Sequence, residues 1–190
     1  MLAPRMTLSV DLPGRQARLR QMILYVSSRC AEAKRFGLIK LNKILWKSDF
    51  DAYAARGVPV TGRAYQRLAL GPAPKEMKPV HREMMQEGLI TLEVVDFGDG
   101  IKEQRTIPLV GPDLTLFSPD DIGYVDQAII YYWNLTGMES SDDSHGAAWL
   151  TRHNGDPMPY ESAMLSDRRP GPAQMRRAHR MMEERGWTTD

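Results

Sequence analysis

Residues 38–56 read Leu38-Ile39-Lys40-Leu41-Asn42-Lys43-Ile44-Leu45-Trp46-Lys47-Ser48-Asp49-Phe50-Asp51-Ala52-Tyr53-Ala54-Ala55-Arg56. Leu41, Ile44, Leu45, Ser48, Ala52 and Ala55 recur at the spacing of a helix that turns one stripe inward. Trp46, Phe50 and Tyr53 widen the apolar surface beyond that stripe. A helix apolar over more than one stripe is usually enclosed by its neighbours, so this segment predicts the central helix of a bundle. Lys40, Lys43 and Lys47 lie at helical spacing and are expected to share one basic face, solvated or paired to the acidic middle of the chain. Gly57 is the expected stop, with Pro59 just beyond it.

Upstream, a helix is expected from Arg15, with Leu19, Met22, Ile23, Val26, Cys30 and Ala33 on one stripe and Gly37 as its stop. Arg15, Arg18, Arg20, Arg29, Lys34 and Arg35 fall on its other faces. Cys30 lies on the apolar stripe and reads as a core filler, not a nucleophile. Residues 1–14, broken by Pro4, Pro13 and Gly14, read as an irregular arm.

Downstream, residues 57–74 read as a turn-rich connection packed on the bundle. A third helix is expected from Pro74 or Lys78 to Gln86, closed by Gly88, with Pro79 in its first turn or at a kink. Residues 89–110 read as an antiparallel hairpin turning at Gly98-Asp99-Gly100, with Pro108 at an edge. Ser118-Pro119-Asp120-Asp121 open a fourth helix as a capping box, and Gly137 ends it. A fifth helix is expected over 140–152, with Ser140 and Asp143 as capping candidates and Asn154-Gly155 as its stop. Residues 172–185 predict a short amphipathic helix carrying Arg176, Arg177 and Arg180 beside Met181 and Met182, stopped by Gly186. The expected fold is therefore mainly α: a compact helical bundle with one small antiparallel hairpin at about residues 89–110. It divides into an arm (1–14), a single domain (15–165) and a basic tail with a short helix (166–190).

A chain of 190 residues with 42% hydrophobic side chains is long enough to bury a core, which excludes disorder as a whole-chain description. One cysteine excludes an internal disulfide scaffold and a multi-cysteine zinc module. No apolar run approaches the ~20 residues of a membrane span, and no signal-peptide core stands at the start, so a cytoplasmic location without membrane contact is expected. The formal charge of +1 conceals poles. Residues 1–47 carry ten basic and two acidic side chains, residues 48–167 nine and nineteen, and residues 168–190 six and three. Such asymmetry indicates either basic ends folded onto an acidic middle or a surface for another macromolecule.

Catalytic patterns are not evident. There is no phosphate-binding glycine loop and no His-Glu-x-x-His. Ser144 and His145 are adjacent, which is not how a nucleophile meets its base, and Asp49 and Asp51 fall on different helix faces. His145 beside Asp142 and Asp143 reads as a surface histidine near a cap. No enzyme activity, cofactor or metal is expected. Twelve methionines, among them Met84-Met85 and Met181-Met182, suit both core filling and an adaptable binding surface.

Three stretches together resemble a known family. Lys40-Leu41-Asn42-Lys43-Ile44-Leu45-Trp46-Lys47-Ser48-Asp49 is similar to its K-L-x-K-L-L-Y-x-A-D helix. Leu70-Gly71-Pro72-Ala73-Pro74 is similar to its Y-G-P-x-P turn, preceded here by Pro59, Thr61-Gly62 and Tyr65. Ser144-His145, Trp149 and Asp156-Pro157-Met158-Pro159-Tyr160-Glu161 are similar to its S-H…W and P-I-P-Y pieces. The family is the Panacea domain, the SocA-like antitoxins, and the resemblance covers about residues 38–165. Lys47 and Ser48 depart from the family pattern, as do the arm and the C-terminal helix.

The resemblance implies a mainly helical domain with a small hairpin, acting as the bacterial or phage antitoxin of a toxin–antitoxin pair. The implied partner is a cognate toxin, encoded by the adjacent gene and neutralised by occlusion or by delivery to a protease. Trp46, Tyr65, Gly71, Pro72 and Trp149 also suit a purely structural role. Candidate partner-binding residues are Lys40, Lys43, Lys47, Tyr65, Arg67, His145, Trp149, Arg176, Arg177 and Arg180. The alternative is a DNA-binding transcriptional regulator with a winged helix–turn–helix-like module, reading residues 75–86 as its recognition helix. That segment sets Lys75, Lys78 and Arg82 against Glu76 and Glu83, a near balance that makes nucleic acid the less expected partner.

Overall fold

The central helix forms as its periodicity dictates. In the computed structural model α2 spans Leu38–Arg56 and ends at Gly57, whose φ of 79° lets its amide donate back to the Tyr53 carbonyl. The structure describes residues 6–33, 35–98, 100–165 and 172–186. Pro4, Lys34, Asp99 and the tail segments 166–171 and 187–190 lie outside the described residues.

α2 is buried on two sides because it carries two apolar surfaces. Leu41, Ile44, Leu45 and Ala52 enter the main core with Leu19, Met22, Ile23 and Val26 of α1 (Gln16–Arg29) and Val125, Ile129 and Tyr132 of α4 (Pro119–Tyr132). Phe50 and Tyr53 enter a second, aromatic core with Tyr65, Met158 and Tyr160. There Tyr53 and Tyr160 stack at 5.1 Å between centroids.

α1 is shorter than its apolar stripe suggests. It stops at Arg29, and the chain turns at Cys30 before running back toward Gly37. Cys30 and Ala33 stay buried, so the stripe reports burial past the point where the helix has ended. The Arg105 guanidinium takes the carbonyls of Ala33 and Phe36 that a continued helix would have used internally.

The stretch read as a connection contains a hairpin. β1 (Tyr65–Leu68) pairs antiparallel with β2 (Gly71–Pro74) on one side and with β5 (Pro157–Met158) on the other, giving the order β2-β1-β5. α3 (Met77–Gln86) follows, with Pro79 in its first turn, where no intrahelical amide is required. The expected hairpin is β3 (Ile90–Asp96) with β4 (Lys102–Pro108), paired from Ile90↔Pro108 to Asp96↔Lys102.

α4 opens on the Ser118–Asp121 capping box as the sequence predicts, but it ends at Tyr132. The expected fifth helix over 140–152 is two short ones, α5 (Gly137–Asp143) and α6 (Ala147–Leu150). Thr136 caps α5 by a reciprocal bond with Glu139, so Gly137 starts a helix instead of ending one. A 3-10 helix (Tyr160–Met164) and α7 (Pro172–Arg185) complete the order. The fold is helix-rich with two small antiparallel sheets, one more sheet than the bundle with a single hairpin. Residues 6–14 are irregular yet fastened: Val10 N–H donates to the Gly62 carbonyl at 2.9 Å, and Thr7 N–H donates to Glu161 at 2.9 Å.

Candidate interaction surface

Asp49 is fully buried on α2 and organises the aromatic core. One carboxylate oxygen accepts the Thr61 amide at 2.5 Å; the other accepts the Thr61 hydroxyl and the Tyr65 hydroxyl, the latter at 2.8 Å. Tyr160 approaches the same oxygen at 3.5 Å while donating to the Arg63 carbonyl at 2.7 Å. Burial pushes the Asp49 carboxyl up to about 6, against the pull of these donors, and the same burial with the nearby carboxylate raises Tyr65 well above the usual phenol range. The arrangement bonds β1 to α2. Tyr65 is thereby an interior residue, 1% exposed, and not a direct partner contact in this conformation.

Lys43 lies on the same helix, also buried, and its ammonium nitrogen donates to the Pro72 carbonyl at 3.0 Å. Gly71 explains how it fits. With φ at +89°, Gly71 turns its missing side chain toward α2, where a Cβ would stand 2.6 Å from Lys43 Nζ and closer still to Ser144 Oγ. Ser144 in turn donates to the Ser141 carbonyl at 2.6 Å. Lys43, Gly71 and Ser144 belong to the three separate stretches that carry the family resemblance, and they meet at one point.

Outside this point lies a stack of half-buried side chains. The Trp149 indole N–H donates to the Leu68 carbonyl at 2.8 Å, fixing α6 to the end of β1. His145 stacks on the Trp149 ring at 3.7 Å and 17° between planes, and the Arg67 guanidinium carbon lies 3.8 Å from the ring centre. Burial, with Lys43 and Arg67 nearby, lowers the His145 pKa against the opposing pull of Asp142, so the ring is neutral at pH 7. Arg67, His145 and Trp149 are thus brought together, with Lys43 and Tyr65 in the layer beneath.

The lysines of α2 do not form the shared basic face their spacing predicts. Lys40 and Lys43 are each 1% exposed. Lys40 reaches the Trp133 carbonyl at 3.3 Å, and burial lowers its pKa. The long side chains of both run from an enclosed helix to main-chain oxygens at its margins, so neither presents a charge to a partner. Lys47 alone of the three is accessible; it pairs with Asp51 at 2.9 Å and sits 4.5 Å over the Tyr131 ring. It borders a cleft of about 210 Å³ between α2, the end of α4, the α5–α6 turn and the 3-10 helix. Arg176 and Arg180 are exposed on α7, whereas Arg177 is turned toward Gly57 and bonds Glu184 at 3.3 Å.

Sequence reasoning did not foresee Asp49 as a hub. The signal was there: Asp49 interrupts the apolar side of a helix, and a Thr and a Tyr follow within the next turn-rich segment. Arg18, which its spacing puts on a polar face of α1, is 5% exposed and bonds the Val60 carbonyl at 2.7 Å and Asp121 at 3.1 Å. Among the described residues no group of three or more His, Cys, Asp or Glu side chains is placed to hold a metal ion, and no helix is long and apolar enough to cross a membrane. Neither the protein-family models, nor the curated proteins, nor the solved structures contain a match to this chain.

Proposed function

We propose that this chain is the antitoxin of a toxin–antitoxin pair, a Panacea-like protein that neutralises its cognate toxin by binding it directly. The observation that carries the reading is the meeting of the three resembling stretches at Lys43, Gly71 and Ser144, with the Arg67–Trp149–His145 stack above them. Separate motifs that converge on one place behave as a unit. What they build is a rigid platform whose outer layer is Arg, Trp and His, side chains suited to contact with a protein.

Co-expression with the product of the adjacent gene tests the proposal. The neighbour alone is expected to arrest growth, and this chain to restore it and to co-purify with the neighbour. A harmless neighbour, or a pair that neither associates nor rescues growth, overturns the reading. The half-life of the neutralised toxin then separates two modes: a shortened half-life means delivery to a protease, an unchanged one means occlusion. A gel shift on the promoter of the pair addresses the regulator alternative, for which salt-dependent binding by this chain alone is the required result.

A further inference from the structure

Among the described residues no carboxylate pairs with the Arg67 guanidinium, and its Nε is buried with no acceptor. The nearby acids do not supply one: Asp156 accepts the His153 amide at 2.7 Å, and Asp142 is exposed beside His145. Removing a guanidinium partly from water without a carboxylate is a cost that the Trp149 ring offsets only in part.

The cation is nevertheless held in place. Trp149, against which it rests, is tied to the Leu68 carbonyl and stacked on His145, so the guanidinium lies on a ring that is itself anchored. A guanidinium so fixed presents a planar fork of N–H donors that matches a carboxylate. Two exposed apolar side chains stand next in sequence to the residues that fix the ring: Leu70, two residues beyond the Leu68 acceptor, is 44% exposed, and Leu150, adjacent to Trp149, is 68% exposed. Lys43 is enclosed below, and Arg152, three residues beyond Trp149, spends its guanidinium on the Ala148 and Pro157 carbonyls. A nucleic-acid backbone, which is held by several phosphate contacts, is not matched by Arg67 with neighbours so engaged. The arrangement suits a protein.

We propose that the Arg67–Trp149–His145 stack, with the exposed Leu70 and Leu150 that neighbour it in sequence, receives a partner polypeptide that places an Asp or Glu carboxylate next to an apolar side chain. This rests on the reading of the chain as a protein-binding antitoxin and names the place and the chemistry of the contact. Arg67 contributes the paired hydrogen bonds, Trp149 supports it from one side, and the leucines cover the pair from water. Trp and Arg at the centre of a patch with apolar contacts around them is the composition in which interface energy concentrates.

The test uses the full-length chain labelled with nitrogen-15 and a blocked pentapeptide alternating leucine and glutamate. Controls are the same peptide with glutamine for glutamate, and inorganic phosphate. The Arg67 Nε–H and Trp149 Nε1–H resonances are expected to move together and saturably with the glutamate peptide, while the Trp46 and Trp133 indoles stay still. Arg67→Gln should abolish the Trp149 shift and leave the rest of the spectrum in place. Silence at both resonances, an equal response to the glutamine peptide, or an equal response to phosphate overturns the proposal. No toxin enters this assay, so failed growth rescue and a failed titration are distinguishable results.

Discussion

Lys43 Nζ donates to the Pro72 carbonyl at 3.0 Å, its single hydrogen bond among the described residues. Burial pushes the ammonium down to about 7. An unfolded lysine titrates near ~10.4, so from about pH 7 to 10 the unfolded chain holds a proton that the folded chain lacks. Stability therefore rises with pH over that window, by about 1 kcal/mol per pH unit. Lys43→Met should raise stability at pH 7 and remove the slope between about pH 7 and 9, read by urea unfolding. A variant that keeps the slope shows that another group causes it.

Gly71→Ala is expected to be severe. The added Cβ meets Lys43 Nζ and Ser144 Oγ while the backbone is held at φ +89°. Overpacking and a left-handed non-glycine residue cost about 1–3 kcal/mol each, so a loss of roughly 2–6 kcal/mol is expected in chemical denaturation. Gly98→Ala, also at positive φ but facing open space, supplies the control. Equal losses at both positions would mean that the close approach at Gly71 carries no weight.

The Asp49 centre should respond in steps. Tyr65→Phe removes one donor from a buried carboxylate and is expected to cost about 1–3 kcal/mol. Asp49→Ala leaves the Thr61 amide and hydroxyl and the Tyr65 hydroxyl without their acceptor, and should cost more than Tyr65→Phe. Because the folded carboxyl is raised to about 6, the folded chain binds the extra proton below that pH. Asp49 thus adds stability as pH falls from about 6 toward the unfolded value near ~3.9, the reverse of a salt-bridged carboxylate. Asp49→Asn should flatten that contribution, measured against wild type across the same range.

On the antitoxin reading, the exposed Arg176 and Arg180 of α7 set the charge seen by an approaching partner. Reversing both to Glu should slow association about 10-fold or more at low salt while changing dissociation little, read by stopped-flow or surface binding kinetics. Added salt should erase the difference between variant and wild type. A salt-independent complex with unaltered association would assign these arginines to the fold.

Much of the helical frame was legible because periodicity reports it directly: α2, α3, the β3–β4 hairpin, the Ser118 cap and α7 lie where their spacing puts them. The second sheet was not. β1 and β2 have four residues each, include Gly71, Pro72 and Pro74, and are held by a two-residue strand far along the chain. Nothing local to 65–74 records that partner. Cationic spacing misled for a related reason. Lys40, Lys43 and Arg18 sit at positions that a charge pattern assigns to polar faces, and only the tertiary fold supplies the carbonyls and the Asp121 carboxylate that receive them. For the candidate surface, Arg67, His145 and Trp149 were named separately from the sequence; that they form one stack is a tertiary fact.

The order β2-β1-β5 also bears on how the protein is made. β1 waits for a strand that leaves the ribosome some ninety residues later, and Tyr160 closes the aromatic core later still. Closing loops of that length costs entropy before the contacts reward it, so this half of the domain folds late and slowly. During synthesis the nascent chain carries an open strand edge and an unfinished aromatic cluster, features that invite chaperone capture or aggregation. A chain cut short before residue 157 would retain every residue of the outer stack yet lack the second partner of β1 and the Met158 and Tyr160 that close the aromatic core beneath it.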